Sequence, residues 1–440
     1  MTDIPRKELI LINPSVSHPI SRAVVHLIAK SKLPLSLLTL AALTPKEYKI
    51  RILNLKAFWP EWDFVGGVLV GITCLTPNAF EAYKLADRFR KAGASVVMGG
   101  PHVSCLPQEA LEHADSVVIG EAESVWQEVL QDYQNKSLKK IYKGEPVADF
   151  FSLAYDYFLN LNPAILRLAG IAVSRGCKYH CDFCSRPFQD LRFAKIEQAI
   201  ELIKRMKQDT GRIPIGKPTI VFQDDNIFSS PGFSKELFRQ LAPLKIKWAA
   251  TCALDLAFDD EALALAKMSG CKYLMIGFET IFPKQYEKTS GHRIASTDDY
   301  LRAIKKINSY GIKIVGTFMI GLDSYTHRGY FKLLKFLMKA GLWFISLTII
   351  TPFPGSKLFE RLKKEDRIVT FNWKKYDCMQ YVIFRPKNMS RAAVRMWYLT
   401  IRVISLCLSP LFLMQCMVAT ALVCVVYYLT FYLASRLFYF

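Results

Sequence analysis

Along the first 145 or so residues, short apolar runs rich in β-branched residues alternate with amphipathic segments. The runs ELILIN (8–13), YKIRILNL (48–55), VLVGIT (68–73), SVVMGG (95–100) and SVVIG (116–120) have strand length. Between them PLSLLTLAALT and AFEAYKLADRFRKAG repeat apolar residues at helical spacing. Continuous apolar strands separated by helices form a parallel sheet covered on both faces. The pattern therefore predicts a doubly wound, Rossmann-like domain over residues 1–145, with ligands at the strand C-termini. Thr73, Thr76 and Asn78 follow one such end, Gly99 and Gly100 another, and Glu121 and Glu123 a third.

A polar bridge, KSLKKIYKGEPVADF, marks the end of this series and leads into a linker over 146–168. A second series follows over 169–362: AGIAVSRG, PTIVFQDDNIF, KIKWAATC, KYLMIGFET, KIVGTFMIGL and WFISLTIITPFPG, separated by helical patterns such as KIEQAIELIKRMKQDT and STDDYLRAIKKINSYG. Six βα units predict a partial parallel barrel, again with its active rim at the strand C-termini.

The first strand of the second series runs into SRGCKYHCDFCSRP, which holds Cys177, Cys181 and Cys184. The N-terminus lacks the basic, apolar and small-residue regions of a signal peptide. Unexported cysteines stay reduced, so this cluster reads as metal-binding or redox-active rather than as a disulfide fragment. Cys74, Cys252 and Cys271, in or beside apolar runs, read as small buried hydrophobes, and Tyr273 as core. A structural zinc site requires a fourth ligand at zinc spacing, and none follows; His180 reads as a loop residue. Three cysteines with an open fourth position suit a four-iron, four-sulfur (4Fe-4S) cluster whose unique iron accepts a small molecule.

On these residues the chain resembles the radical S-adenosylmethionine (SAM) superfamily, whose C-x3-C-x-aromatic-C signature is matched by Cys177, Cys181, Phe183 and Cys184. Four later segments agree in order. FQDDNIF, with Asp224 and Asp225, resembles the segment near the methionine end of the cofactor. GFET, with Gly277 and Glu279, resembles the G-x-E-[ST] strand end, and GTFMIGLD and TPFPGSKLF resemble the fifth- and sixth-strand segments. The resemblance implies that the three cysteines hold the cluster. It assigns Phe183, Asp224, Asp225, Gly277 and Glu279 to SAM. One electron from a reduced flavodoxin- or ferredoxin-type donor then cleaves SAM to a 5′-deoxyadenosyl radical that abstracts hydrogen from an unactivated carbon.

The stretch VVMGGPHVSCLPQEALEHADSVVIGEAES resembles the cobalamin-binding-type domain that precedes the barrel in many members. This implies cobalamin at Thr73, Gly99 and Gly100. The chain departs from the D-x-H-x-x-G pattern that supplies a cobalt ligand: it has NPSVSHPISRAV, and neither His18 nor His102 has that context. Cobalamin bound without a protein imidazole, or a domain that keeps the fold alone, both satisfy this departure.

Charge and the tail complete the reading. The formal net charge is +20. From Val403 to Ser435 no residue is charged, longer than the about 20 residues of one bilayer crossing and short of about 40 for two. A membrane helix from about Leu411 to Leu433 is expected within a hydrophobic anchor (403–440), approached by a basic, aromatic segment (363–402) from a cytoplasmic side. The expected function is a radical SAM methyltransferase, cobalamin-dependent, acting on a lipid or other hydrophobic substrate at the membrane. An oxidative cyclase and an iron–sulfur redox sensor are the alternatives. An RNA-modifying methylthiotransferase would carry further cluster cysteines and an RNA-binding module, so no nucleic-acid partner is expected.

Overall fold

The computed structural model describes residues 7–14, 34–54, 67–163, 165, 170–186, 190–208, 219–282 and 296–408. The apolar runs of the first series become strands: β1 (Lys7–Asn13), β2 (Tyr48–Asn54), β3 (Leu69–Thr73), β4 (Ser95–Gly99) and β5 (Ser116–Gly120). A further strand, β6 (Ile141–Gly144), completes a sheet in the order β2-β1-β3-β4-β5-β6 with every pair parallel. Strand order reverses between β1 and β3, which are themselves paired from Leu9↔Leu69 to Ile12↔Ile72, and the C-terminal ends of the strands at such a switch point are the usual ligand position in these sheets.

In the second half, β7 (Ser174–Arg175) and β8 (Arg192–Phe193) form a two-residue antiparallel ladder. Then β9 (Thr219–Val221), β10 (Lys247–Cys252), β11 (Cys271–Glu279), β12 (Lys313–Ile320) and β13 (Phe344–Ile349) form a parallel sheet in strictly sequential order. Ile171 adds the sixth strand ahead of β9: it bridges Phe222 in parallel, its N–H donates to Val221, and its carbonyl accepts from Gln223. The expected partial barrel of six βα units is present. Its amphipathic helices bury one stripe each, for example Tyr300, Ala303, Ile304 and Ile307 of Thr297–Ser309.

Two expectations need correction. The polar bridge after β5 conceals β6, where Tyr142 is buried and Lys143 exposed; an edge strand this short, carrying lysine, has no apolar run to betray it. The membrane anchor is the second. No helix among the described residues is long and apolar enough to cross a membrane, so the expected anchor and the placement built on it find no support there. The expected span itself, Leu411 to Leu433, falls outside the described residues.

The aromatic residues that were expected to approach a bilayer are core. The helix Arg391–Leu408 lays Val394, Trp397, Tyr398 and Ile401 against the barrel. Trp397 donates its indole N–H to His327 Nδ1 at 2.9 Å and stacks on Tyr330 with centroids 5.3 Å apart. Trp373 turns back to the first domain, where it donates to Glu109 at 2.7 Å and meets the edge of His102. The chain thus crosses between the two sheets twice.

Candidate active site

The cysteine loop leaves the first barrel strand at Gly176, whose φ of +89° makes the turn without a side-chain clash. Lys178 and Tyr179 both bond Asp255, in the turn after β10, at 2.5 and 3.0 Å. Asp182 pairs with Arg361 at 3.3 Å, and its carbonyl accepts from the Leu358 N–H at 2.8 Å. The Cys184 N–H donates to the Cys181 carbonyl at 3.0 Å, which tightens the turn between those two thiols. All three cysteines are partly exposed, and Phe183 packs against the core.

Cys181 lies within electrostatic reach of Cys177, Cys184 and Glu279. Burial, and then these negative neighbours, push its thiol up to about 12. A thiolate there is unfavourable until a cation compensates it, the condition under which cysteine binds metal. Among the described residues no three His, Cys, Asp or Glu side chains converge on one point as around a single ion. The three thiols share one loop, the spacing that led to the expectation of a cluster.

Glu279 ends β11 on a register shift, with φ +58°, so the strand breaks alternation there. A Cβ on Gly277 would come within 2.4 Å of the Glu279 carboxylate; glycine leaves the space that the acid fills. Desolvation raises the Glu279 pKa to about 7. Asp224 is buried and turned the other way: it accepts from the N–H of Val173 at 3.2 Å and of Ser174 at 2.5 Å, anchoring the strand that feeds the cysteine loop. Its neighbour Asp225 faces the cleft in an ion pair with Arg186.

A cleft of about 680 Å³ opens between the C-terminal ends of both sheets. Thr73, Gly99 and Gly100 line its first-domain wall; Ser174, Arg175, Arg186, Gln223 and Asp225 line the barrel wall; Phe150, Phe151 and Phe158 of the linker, with Leu202 and Met206, form an apolar side. Gly100 has φ +103°, and a Cβ there would lie 2.9 Å from the backbone N and O of Cys74. Glycine is required for this close passage of two chains.

His102 is buried, with Nδ1 3.1 Å from Thr76 Oγ1 and Nε2 3.5 Å from Glu109, so both ring nitrogens are engaged by protein. Asn78 braces its own loop, accepting from Leu75 and donating to Pro14. No histidine lines the cleft among the described residues, and His18 lies outside them. The glycine edge at Gly99 and Gly100 and the cleft beside it fit cobalamin against the ends of β3 and β4.

Glu121 and Glu123 are committed to the other domain. Arg192 bonds Glu121 at 2.5 and 2.8 Å, Arg175 reaches Glu121 at 3.1 Å, and Arg175 bonds Glu123 at 2.7 Å. Burial raises the Glu121 pKa, but the Arg192 bonds, the Val147 N–H and the two positive charges outweigh it and hold the carboxyl below its ordinary value. Sequence reasoning missed Arg175, Arg192 and Asp255. Arg175, directly before the loop glycine, was the most visible signal; the β8 strand carrying Arg192 is too short for any periodicity to reveal it.

Two all-parallel sheets facing each other across this cleft, one carrying three thiols on its first loop, define a radical SAM enzyme with an accessory ligand-binding domain. Residues 171–337 match the Radical SAM superfamily and residues 50–130 match the B12 binding domain. The chain is 31% identical over 370 residues to bacteriochlorophyllide d C-12(1)-methyltransferase of Chlorobaculum tepidum, covering 81% of this chain and 79% of that one. It is 29% identical over 363 residues to the C-8(2)-methyltransferase of the same organism, covering 78% and 79%.

Among solved structures, the radical SAM methyltransferase TsrM of Kitasatospora setae, with cobalamin and a [4Fe-4S] cluster bound, matches with a TM-score of 0.61 at 16% identity, covering 82% of this chain and 78% of that one. The chain belongs to the cobalamin-dependent radical SAM methyltransferases. Its cofactors are a 4Fe-4S cluster, SAM and cobalamin, and it requires an electron donor.

Proposed function

We propose that this enzyme transfers a methyl group to an unactivated carbon of a hydrophobic substrate, with carboxylated tetrapyrroles as the first class to test. The observation that carries the reading is the shared cleft, whose polar rim belongs to both sheets and whose linker side is built from Phe150, Phe151 and Phe158. Two relatives named for methylation of bacteriochlorophyllide d support the substrate class. When bound, the cluster and SAM supply hydrogen abstraction, and cobalamin supplies the methyl group.

In this reading Cys177, Cys181 and Cys184 hold the cluster, and Asp255 and Arg361 fix the loop that presents them. Glu279, Gly277, Asp225 and Phe183 bind or enclose SAM, while Asp224 fixes the strand beneath. Thr73, Gly99 and Gly100 border cobalamin. Residues 1–145 serve cobalamin and 169–362 the radical step. The partner reductant is a flavodoxin- or ferredoxin-type protein.

The test is anaerobic incubation of reconstituted enzyme with reductant, SAM bearing a deuterated methyl group, cobalamin and a chlorophyllide-type acid. Methylation predicts 5′-deoxyadenosine and a product heavier by one labelled methyl group. A product that gains no carbon and loses hydrogen would replace this reading with ring closure.

A further inference from the structure

The loop that carries the three cysteines begins and ends on arginines. Arg175 precedes it, Arg192 follows it, and the two face each other across the β7–β8 ladder. Both guanidinium groups close on one carboxylate from the other domain, Glu121, one residue past β5. The linker is tied into the same knot. The Val147 N–H donates to Glu121 at 2.9 Å, its carbonyl accepts from Arg192 at 2.8 Å, and Arg175 lies over the Phe150 ring at 4.6 Å.

Glu121, Glu123 and Arg175 also border the cleft beside Gly99 and Gly100. A ligand against the ends of β4 and β5 therefore touches the same few atoms that hold both stems of the cysteine loop. A forked, charge-assisted carboxylate–guanidinium pair fixes orientation as well as distance. Removing this one acid leaves two arginines facing each other with no shared counter-charge between them, so the stems would lose their common anchor.

We propose that Glu121 is a positioning residue that couples occupancy of the cobalamin site to the placement of the cluster loop. The inference rests on the reading of Cys177, Cys181 and Cys184 as cluster ligands and of the cleft as the cobalamin site. Coupling of this kind is reciprocal: if cobalamin alters how the loop is held, an assembled loop alters the affinity for cobalamin by the same factor.

The test uses the full chain, reconstituted anaerobically with iron and sulfide, with hydroxocobalamin as the probe. Two quantities are read: the electron paramagnetic resonance spectrum and reduction potential of the cluster with and without cobalamin, and the cobalamin affinity with and without the cluster. In the unmodified protein cobalamin shifts the cluster spectrum, and the cluster tightens cobalamin about fivefold or more. Glu121→Gln loses both effects while still binding each cofactor separately, and Glu121→Asp restores part of the coupling. Arg192→Lys, which keeps the charge and loses the fork, gives the same loss and serves should Glu121→Gln fail to fold. Mutual effects that persist in Glu121→Gln or Arg192→Lys, or that are missing from the unmodified protein with both cofactors bound, overturn the proposal. A cluster that still assembles when all three loop cysteines are replaced overturns the ligand reading instead, which separates the two failures.

Discussion

Ser174 donates both its backbone N–H and its hydroxyl to the same oxygen of Asp224, three residues before the first cysteine of the loop. Burial, opposed by these bonds, raises the Asp224 pKa to about 6. The folded protein thus holds this proton more tightly than the unfolded chain does. Its stabilising contribution is complete below about pH 4 and is lost as pH rises through about 6. Asp224→Asn does not titrate. In cluster-free protein, the stability of the unmodified chain relative to Asp224→Asn should fall by about 2 kcal/mol between pH 4 and pH 7, read from denaturant midpoints. A difference that stays constant across that window refutes the assignment.

Replacing Cys177, Cys181 or Cys184 singly with alanine should abolish the brown iron–sulfur absorbance and the reductive cleavage of SAM. Replacing Cys252 or Cys271, which are buried in the barrel core, should leave the absorbance in place. Full iron content in the triple variant would sink the ligand assignment.

Gly100→Ala forces a side chain into the left-handed region and against the Cys74 backbone. The expected cost is about 2 kcal/mol or more of stability, with loss of cobalamin binding because the β4 end must move. Equilibrium dialysis against hydroxocobalamin reads the second effect; unchanged affinity would remove Gly100 from the cobalamin edge.

Trp397→Ala deletes a buried indole that stacks on Tyr330 and bonds His327. A cavity of this kind costs about 3–5 kcal/mol, visible as a lowered thermal midpoint. A midpoint unaltered by the substitution would mean that the helix Arg391–Leu408 contributes nothing to the barrel.

The six barrel strands and five of the six first-domain strands were legible because buried parallel strands must be apolar along their whole length, and VLVGIT, SVVIG and KIVGTFMI are. β6 was not legible, since Lys143 faces solvent on an edge and only Tyr142 and Gly144 are buried. The cysteine spacing declared the loop, but nothing local declared how it is held. Asp255 lies 77 residues from Lys178 and Glu121 lies 71 from Arg192, so those contacts exist only once the sheets are assembled. The basic, aromatic segment before the tail misled for a related reason. Trp397 and Tyr398 on a basic helix satisfy a bilayer-facing pattern and a barrel-facing one equally, and only the packed partners Tyr330 and His327 distinguish them.

Trp373 and Lys374, which follow the barrel, return to Glu109 and Glu81 of the first domain. The two halves are therefore joined at both ends, like a locket with a clasp as well as a hinge. Parting the two halves by a hinge at the linker would break both the Trp373–Glu109 bond and the Lys374–Glu81 pair. The clasp also sets a rule for chimeras: a barrel grafted from a relative must bring its own returning segment, or the first domain keeps the unfilled socket left by Trp373.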